Sequence, residues 1–160
     1  MSKTKTILKR FARMCNYKLL SDVTVGSGES AHTFEHILIG SFGAFCVRSF
    51  KEKGELYGNE NDSNFVLVDY KMSRNKTENI VKKSLKDNMT LRKIVADAKI
   101  YNVKIENAVV IEHKKCKAMI TAPSCEVMAV SELSKYLNDK FDRDNKVDAE
   151  AVASAVENAK

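Results

Sequence analysis

The chain has 160 residues, 44% of them hydrophobic and 30% charged, with one proline and six glycines. Such a composition excludes a disordered, collagen-like or low-complexity chain and suits one compact domain. No apolar run approaches the ~18 residues that cross a bilayer, and MSKTKTILKRFARM lacks the apolar core of a secretory signal, so a cytoplasmic protein is expected. The formal charge of +6 favours polyanionic partners, nucleic acid before membrane.

Ile7, Leu8, Phe11, Ala12, Met14 and Cys15 recur at helical spacing between Lys9, Arg10 and Arg13, so this segment reads as an amphipathic first helix with a basic outer side. YKLLSDVTV (17–25) reads as a strand closed by the turn GSGES. AHTFEHILIG (31–40) and AFCVRSFK (44–51) read as two further strands, apolar on both faces and therefore central in a sheet. KEKGELYG reads as a turn around Gly54, with another strand near Phe65–Asp69. Thr77 to Ala98 is the longest helical stretch. Its expected buried stripe is Ile80, Val81, Leu85, Met89, Leu91, Ile94, Val95 and Ala98, and its outer side carries Lys82, Lys83, Lys86, Arg92 and Lys93. ENAVVIEH, KAMIT and CEVMAV read as later strands, with Met119 and Met128 in the core. Ser131 is expected to N-cap the helix SELSKYLN. Residues 139–160 form a charged, alanine-rich tail or helix after a domain of residues 1–138. The order of elements predicts an α/β fold, a mixed central sheet flanked by helices.

Cys15, Cys46, Cys116 and Cys125 are widely spaced, with no CxxC pair. His113, Cys116 and Cys125 lack the second close pair of a structural zinc site, so buried or half-buried free thiols are expected. Walker, dinucleotide and Ser-hydrolase patterns are missing. Glu35 and Arg48 stand out as charges within apolar strands, where burial normally demands a partner. A three-residue turn would set residues whose numbers add to about 83–84 opposite each other. The expectation is a Glu35–Arg48 ion pair, with a strand-end position in water as the alternative.

FEHILIGSFGAFCVRSFKEKGELYG, with Glu35-His36, Ile39-Gly40, Phe42-Gly43, Lys53-Gly54 and Tyr57-Gly58, resembles the core of the nuclease-related domain, NERD, a branch of the PD-(D/E)xK nuclease-like superfamily. Phe65 stands where that family often has Trp. Asn75 and Asn79 stand where it has an Asn-Pro-x-x-Gln helix start, and the resemblance spans roughly residues 5–138. It implies a restriction-endonuclease-like core. In active relatives a first acid and a Glu-x-Lys acid hold a divalent metal, usually Mg²⁺, and the lysine orients water. Carried across, the first acid falls on Glu35, the second on Arg48 and the lysine on Phe50, while residues 1–20 hold no glutamate. A guanidinium puts +1 where a cation would bind, and Phe50 cannot position water. The resemblance with these departures implies a pseudonuclease with a degenerate site (Glu35, Arg48, Phe50) and no cofactor, Mg²⁺ entering only if Glu35 works as a ligand. Nucleic acid, DNA ahead of RNA, would bind through Lys9, Arg10, Arg13, Lys82, Lys83, Lys86, Arg92 and Lys93. Two alternatives stay open: a module for a protein partner or homo-oligomer without nucleic acid, and a nuclease with a site displaced toward Glu52 and Lys51 or Lys53.

Overall fold

The computed structural model describes residues 2–121 and 123–160. Helix α1 (Lys3–Cys15) starts where Ser2 Oγ accepts from the Lys5 amide at 3.1 Å, and stops at Asn16, whose φ of 59° is left-handed. Strands β1 (Lys18–Val25), β2 (His32–Gly40) and β3 (Gly43–Phe50) follow as an antiparallel meander. The chain then builds a second sheet from β4 (Gly54–Asn59), β5 (Asn64–Val68) and β6 (Arg74–Glu78). Helix α2 (Ile80–Asp97) returns it to β7 (Ile105–Ile111), parallel to β3. Strand β8 (Cys116–Thr121) joins β4, β9 (Glu126–Ala129) joins β7, and α3 (Val130–Phe141) and α4 (Ala149–Asn158) close the chain.

The sheets run β1-β2-β3-β7-β9 and β6-β5-β4-β8, each mixed in direction. The expected α/β class with a mixed sheet flanked by helices is therefore present, and β2 and β3 are interior as their two apolar faces require. One face of the first sheet packs under α1 and α3, through Leu8, Phe11, Leu38, Phe45, Leu133 and Leu137. The other packs under α2 and α4, through Ile37, Ile39, Cys46, Leu91, Val95 and Val156. A third cluster, with Leu56, Phe65, Ile80, Val81 and Val109, joins the second sheet to α2 and β7.

Two motif glycines have direct steric reasons. Gly43 sits at φ +134°, and a Cβ there would lie 2.3 Å from the Lys104 carbonyl oxygen. At Gly58 a Cβ would lie 2.2 Å from the ring of buried Phe65, so the Tyr57-Gly58 pair and the aromatic at 65 form one packing unit.

Several local expectations are corrected. KEKGELYG is a turn only as far as Lys53; from Gly54 it is strand β4, zipped to β5 and β8. The long helix begins at Ile80 rather than Thr77, because residues 74–78 form the polar edge strand β6 and Asn79 caps the helix. Its buried stripe runs Ile80, Val81, Ser84, Asp87, Leu91, Val95, while Met89 is 71% exposed. Met128 is core, but Met119 is 46% exposed, on the side of β8 turned from the third cluster. Ser131 lies inside α3: the cap position is Ala129, which makes no side-chain cap bond. Residues 139–160 supply Phe141 to the first cluster and Val152, Ala153 and Val156 to the second. All four cysteines are free, Cys46 and Cys125 buried and the other two half-buried.

Candidate functional site

The β2–β3 pairing has the register expected from the short turn, with Ile37 opposite Cys46 and His36 opposite Val47. It stops there, one residue before Glu35 would meet Arg48. The cause lies in β2 and β1. Phe34 and Ile37 are three positions apart yet both enter the core under α2, so the alternation of a regular strand fails between them. Opposite this point Asp22 has a left-handed φ of 54° and drops out of the β1–β2 ladder between Ser21↔His36 and Val23↔Phe34. Facing positions then no longer imply touching side chains, and the expected Glu35–Arg48 ion pair does not form.

Arg48 instead reaches helix α2. Its Nε donates to Asp87 Oδ2 at 2.9 Å and its Nη2 to Asp87 Oδ1 at 2.7 Å, the bidentate geometry that guanidinium and carboxylate share. A further Nη2 bond goes to the Thr33 carbonyl at 2.5 Å. His32 Nε2 lies 2.6 Å from the same Asp87 Oδ1, and Asp87 is 1% exposed. Burial alone would pull the Arg48 pKa down; the hydrogen bonds and charge of Asp87 outweigh it and raise the value, so the guanidinium stays cationic. His32 and His36, four residues apart on β2, part company: His36 Nδ1 lies 2.8 Å from Ser21 Oγ and its Nε2 3.5 Å from Glu35. Burial lowers the His36 pKa from its ordinary 6.5 against the pull of Glu35 and Asp22.

Glu35 turns to Ser49, accepting from its amide at 3.1 Å and from its hydroxyl. It lines a cavity of about 280 Å³ with Arg48, Phe50, Lys51, Glu52 and Lys83. Glu35, Arg48 and Phe50 thus line one cavity, and Glu52 with Lys51 borders the same space. Among the described residues, no three His, Cys, Asp or Glu side chains converge at metal-holding distance.

The expected basic residues fall into two groups that the fold keeps apart. Lys9, Arg10 and Arg13 are exposed on α1, over one face of the first sheet; Lys82, Lys83, Lys86, Arg92 and Lys93 are exposed on α2, over the other. Lys83 also borders the cavity and pairs with Glu78 at 2.6 Å, and Arg92 Nε donates to Asn88 at 2.6 Å. Asp87 was missed in the sequence because a lone acid on a lysine-rich helix resembles a solvated residue. The available signal was its place four residues before Leu91 and seven after Ile80, squarely in the buried stripe.

A family model described as nuclease-related domain, NERD, matches residues 2–112. No curated protein and no solved structure matches the chain.

Proposed function

Since this chain belongs to the nuclease-related domain family, which matches over more than half its length, we propose that it is a catalytically silent member that binds nucleic acid through the basic face of α2. The observation that carries the first half is the Arg48–Asp87 bridge. The donor set is poor for a divalent cation, which takes oxygen ligands. Of the carboxylates that line the cavity, Glu35 is engaged by Ser49, Glu78 by Lys83, and Glu52 stands between Lys51 and Lys53 in the turn. The second acid position holds a cation anchored by two bonds to Asp87. Phe50 has no group with which to hold water. The second half is supported by Lys82, Lys83 and Lys86 on the exposed side of α2, with Lys83 at the mouth of the cavity. Such lysines bind phosphates with little sequence preference and release counterions, so the affinity falls steeply with salt.

The test combines cleavage and binding. Purified protein with Mg²⁺ or Mn²⁺ leaves single- and double-stranded DNA and RNA intact, while anisotropy at low salt registers binding that Lys82→Ala/Lys83→Ala/Lys86→Ala weakens. Metal-dependent cleavage abolished by Glu35→Ala would overturn the silent site and establish a displaced one. Saturable assembly without any nucleic-acid binding would point to the interaction module.

A further inference from the structure

A lysine-lined cleft lies away from the degenerate site, at one end of the second sheet. Strands β4 and β8 begin side by side there, joined by the Gly54 amide donating to the Lys115 carbonyl at 3.1 Å, and β5 ends on the other side of β4 at Val68. The starts of β4 and β8 therefore deliver Lys53, Lys114, Lys115 and Lys117 to a cavity of about 580 Å³, and the end of β5 brings Asp69 and Tyr70 to it. None of these four ammonium groups has an acid within 4.0 Å among the described residues. The two carboxylates that line the cleft have local partners. Asp69 Oδ1 accepts the Lys71 and Ser73 amides, both at 2.9 Å, and Glu55 accepts the Tyr57 hydroxyl.

The same cleft carries an aromatic surface. Tyr70 is 72% exposed and Met72 78% exposed, both on the turn that Asp69 organises. The ammoniums of Lys53 and Lys71 stand 4.8 and 5.9 Å from the centre of the Tyr70 ring. From there a lysine stem can swing its charge to a phosphate flanking a group stacked on the ring. Uncompensated cations around an accessible aromatic ring match the chemistry of a nucleotide unit, with a π-face for the ring and phosphates for the lysines. A base paired within a duplex cannot offer that face.

We propose that this cleft binds single-stranded nucleic acid, with an unpaired base on Tyr70 and its phosphates on Lys53, Lys114, Lys115 and Lys117. The assignment rests on the chain being a nucleic-acid binder and adds a strand-selective contact remote from α2. The test is anisotropy at low salt with a labelled oligothymidylate of about 20 nucleotides and a duplex of equal length. Tyr70→Ala is expected to weaken single-strand binding about fivefold or more and to leave duplex binding within about twofold. Tyr70→Phe, which keeps the ring, restores wild-type affinity, and Lys114→Ala/Lys115→Ala/Lys117→Ala lowers both affinity and salt slope. Undiminished single-strand affinity in Tyr70→Ala, with duplex binding intact in the wild type, overturns the cleft alone. Failure of the wild type to bind either strand form overturns the cleft and the α2 reading together.

Discussion

Asp87 illustrates how much one side chain can decide at this site. Its two oxygens hold Arg48 Nε and Nη2, and Oδ1 also meets His32, all with the carboxylate withdrawn from water. Removing one partner of a buried pair is costlier than removing both, because the survivor keeps its desolvation without its attraction. Asp87→Ala is therefore expected to lower unfolding free energy by about 3–5 kcal/mol, while Arg48→Met/Asp87→Leu loses much less. Urea titrations of the three proteins make the comparison, and equal losses in single and double variants would show that the pair is not coupled. His36 gives a second expectation, with its sign fixed by the lowered pKa. Between the folded value and the ordinary 6.5, the unfolded chain binds more protons than the folded one, so stability rises with pH. The contribution of His36 is complete above about pH 6.5 and is lost as pH falls through the folded value. Melting temperatures from pH 7.5 down to about 5 should fall less for His36→Gln than for wild type; parallel profiles would remove His36 as the cause.

At the level of whole elements, Asn79 ties two parts of the fold together. Its Oδ1 accepts the Lys82 amide at 3.0 Å and so caps α2, while its Nδ2 donates to the Glu60 and Asp62 carbonyls at 2.9 and 2.8 Å. The residue thus fixes the first turn of the helix against the β4–β5 connection. A cap alone contributes about 1 kcal/mol, and the carbonyls left behind in a partly buried setting add to the cost. Asn79→Ala is expected to destabilise by about 2–3 kcal/mol. Asn79→Ser keeps a capping oxygen and surrenders the donors without setting a charge against the two carbonyls, so its loss should fall between alanine and wild type; a loss as large as alanine's would mean that the cap contributes nothing. Legibility in the sequence followed the same division between apolar pattern and polar contact. Strands β2 and β3 and the body of α2 were readable because their apolar positions leave only one way to bury them. Strand β6, RNKTE, offers no apolar alternation; backbone pairing to β5 alone makes it a strand. The site was half readable. The register that sets residue 35 opposite residue 48 followed from turn length, but the break at Asp22 and Phe34, which frees Arg48 to seek Asp87, leaves no mark in hydrophobic spacing.

Across the whole molecule the decisive fact is that the first sheet separates the two basic helices. α1 covers the face that carries Leu38 and Phe45, and α2 the face that carries Ile39 and Cys46. A rigid duplex lying along α2 would be separated from α1 by the sheet and both helix layers. Lys9, Arg10 and Arg13 then act only through the long-range field, which the ~8 Å Debye length at physiological salt largely screens. Lys83 of α2 lines the cavity at Glu35, and on the proposed reading it would touch phosphate directly together with the exposed Lys82 and Lys86. Each phosphate contact contributes about 0.9 to the slope of log affinity against log salt for B-form DNA. Lys82→Ala/Lys83→Ala/Lys86→Ala should therefore flatten that slope by about 2–3 and weaken low-salt binding tenfold or more. Lys9→Ala/Arg10→Ala/Arg13→Ala should leave the slope unchanged and the affinity within about twofold. Anisotropy titrations of a short duplex over a salt series separate the two cases. Equal flattening by both triple variants would require the ligand to contact both faces of the sheet, by wrapping or through two separate sites, and would remove the assignment of duplex binding to α2.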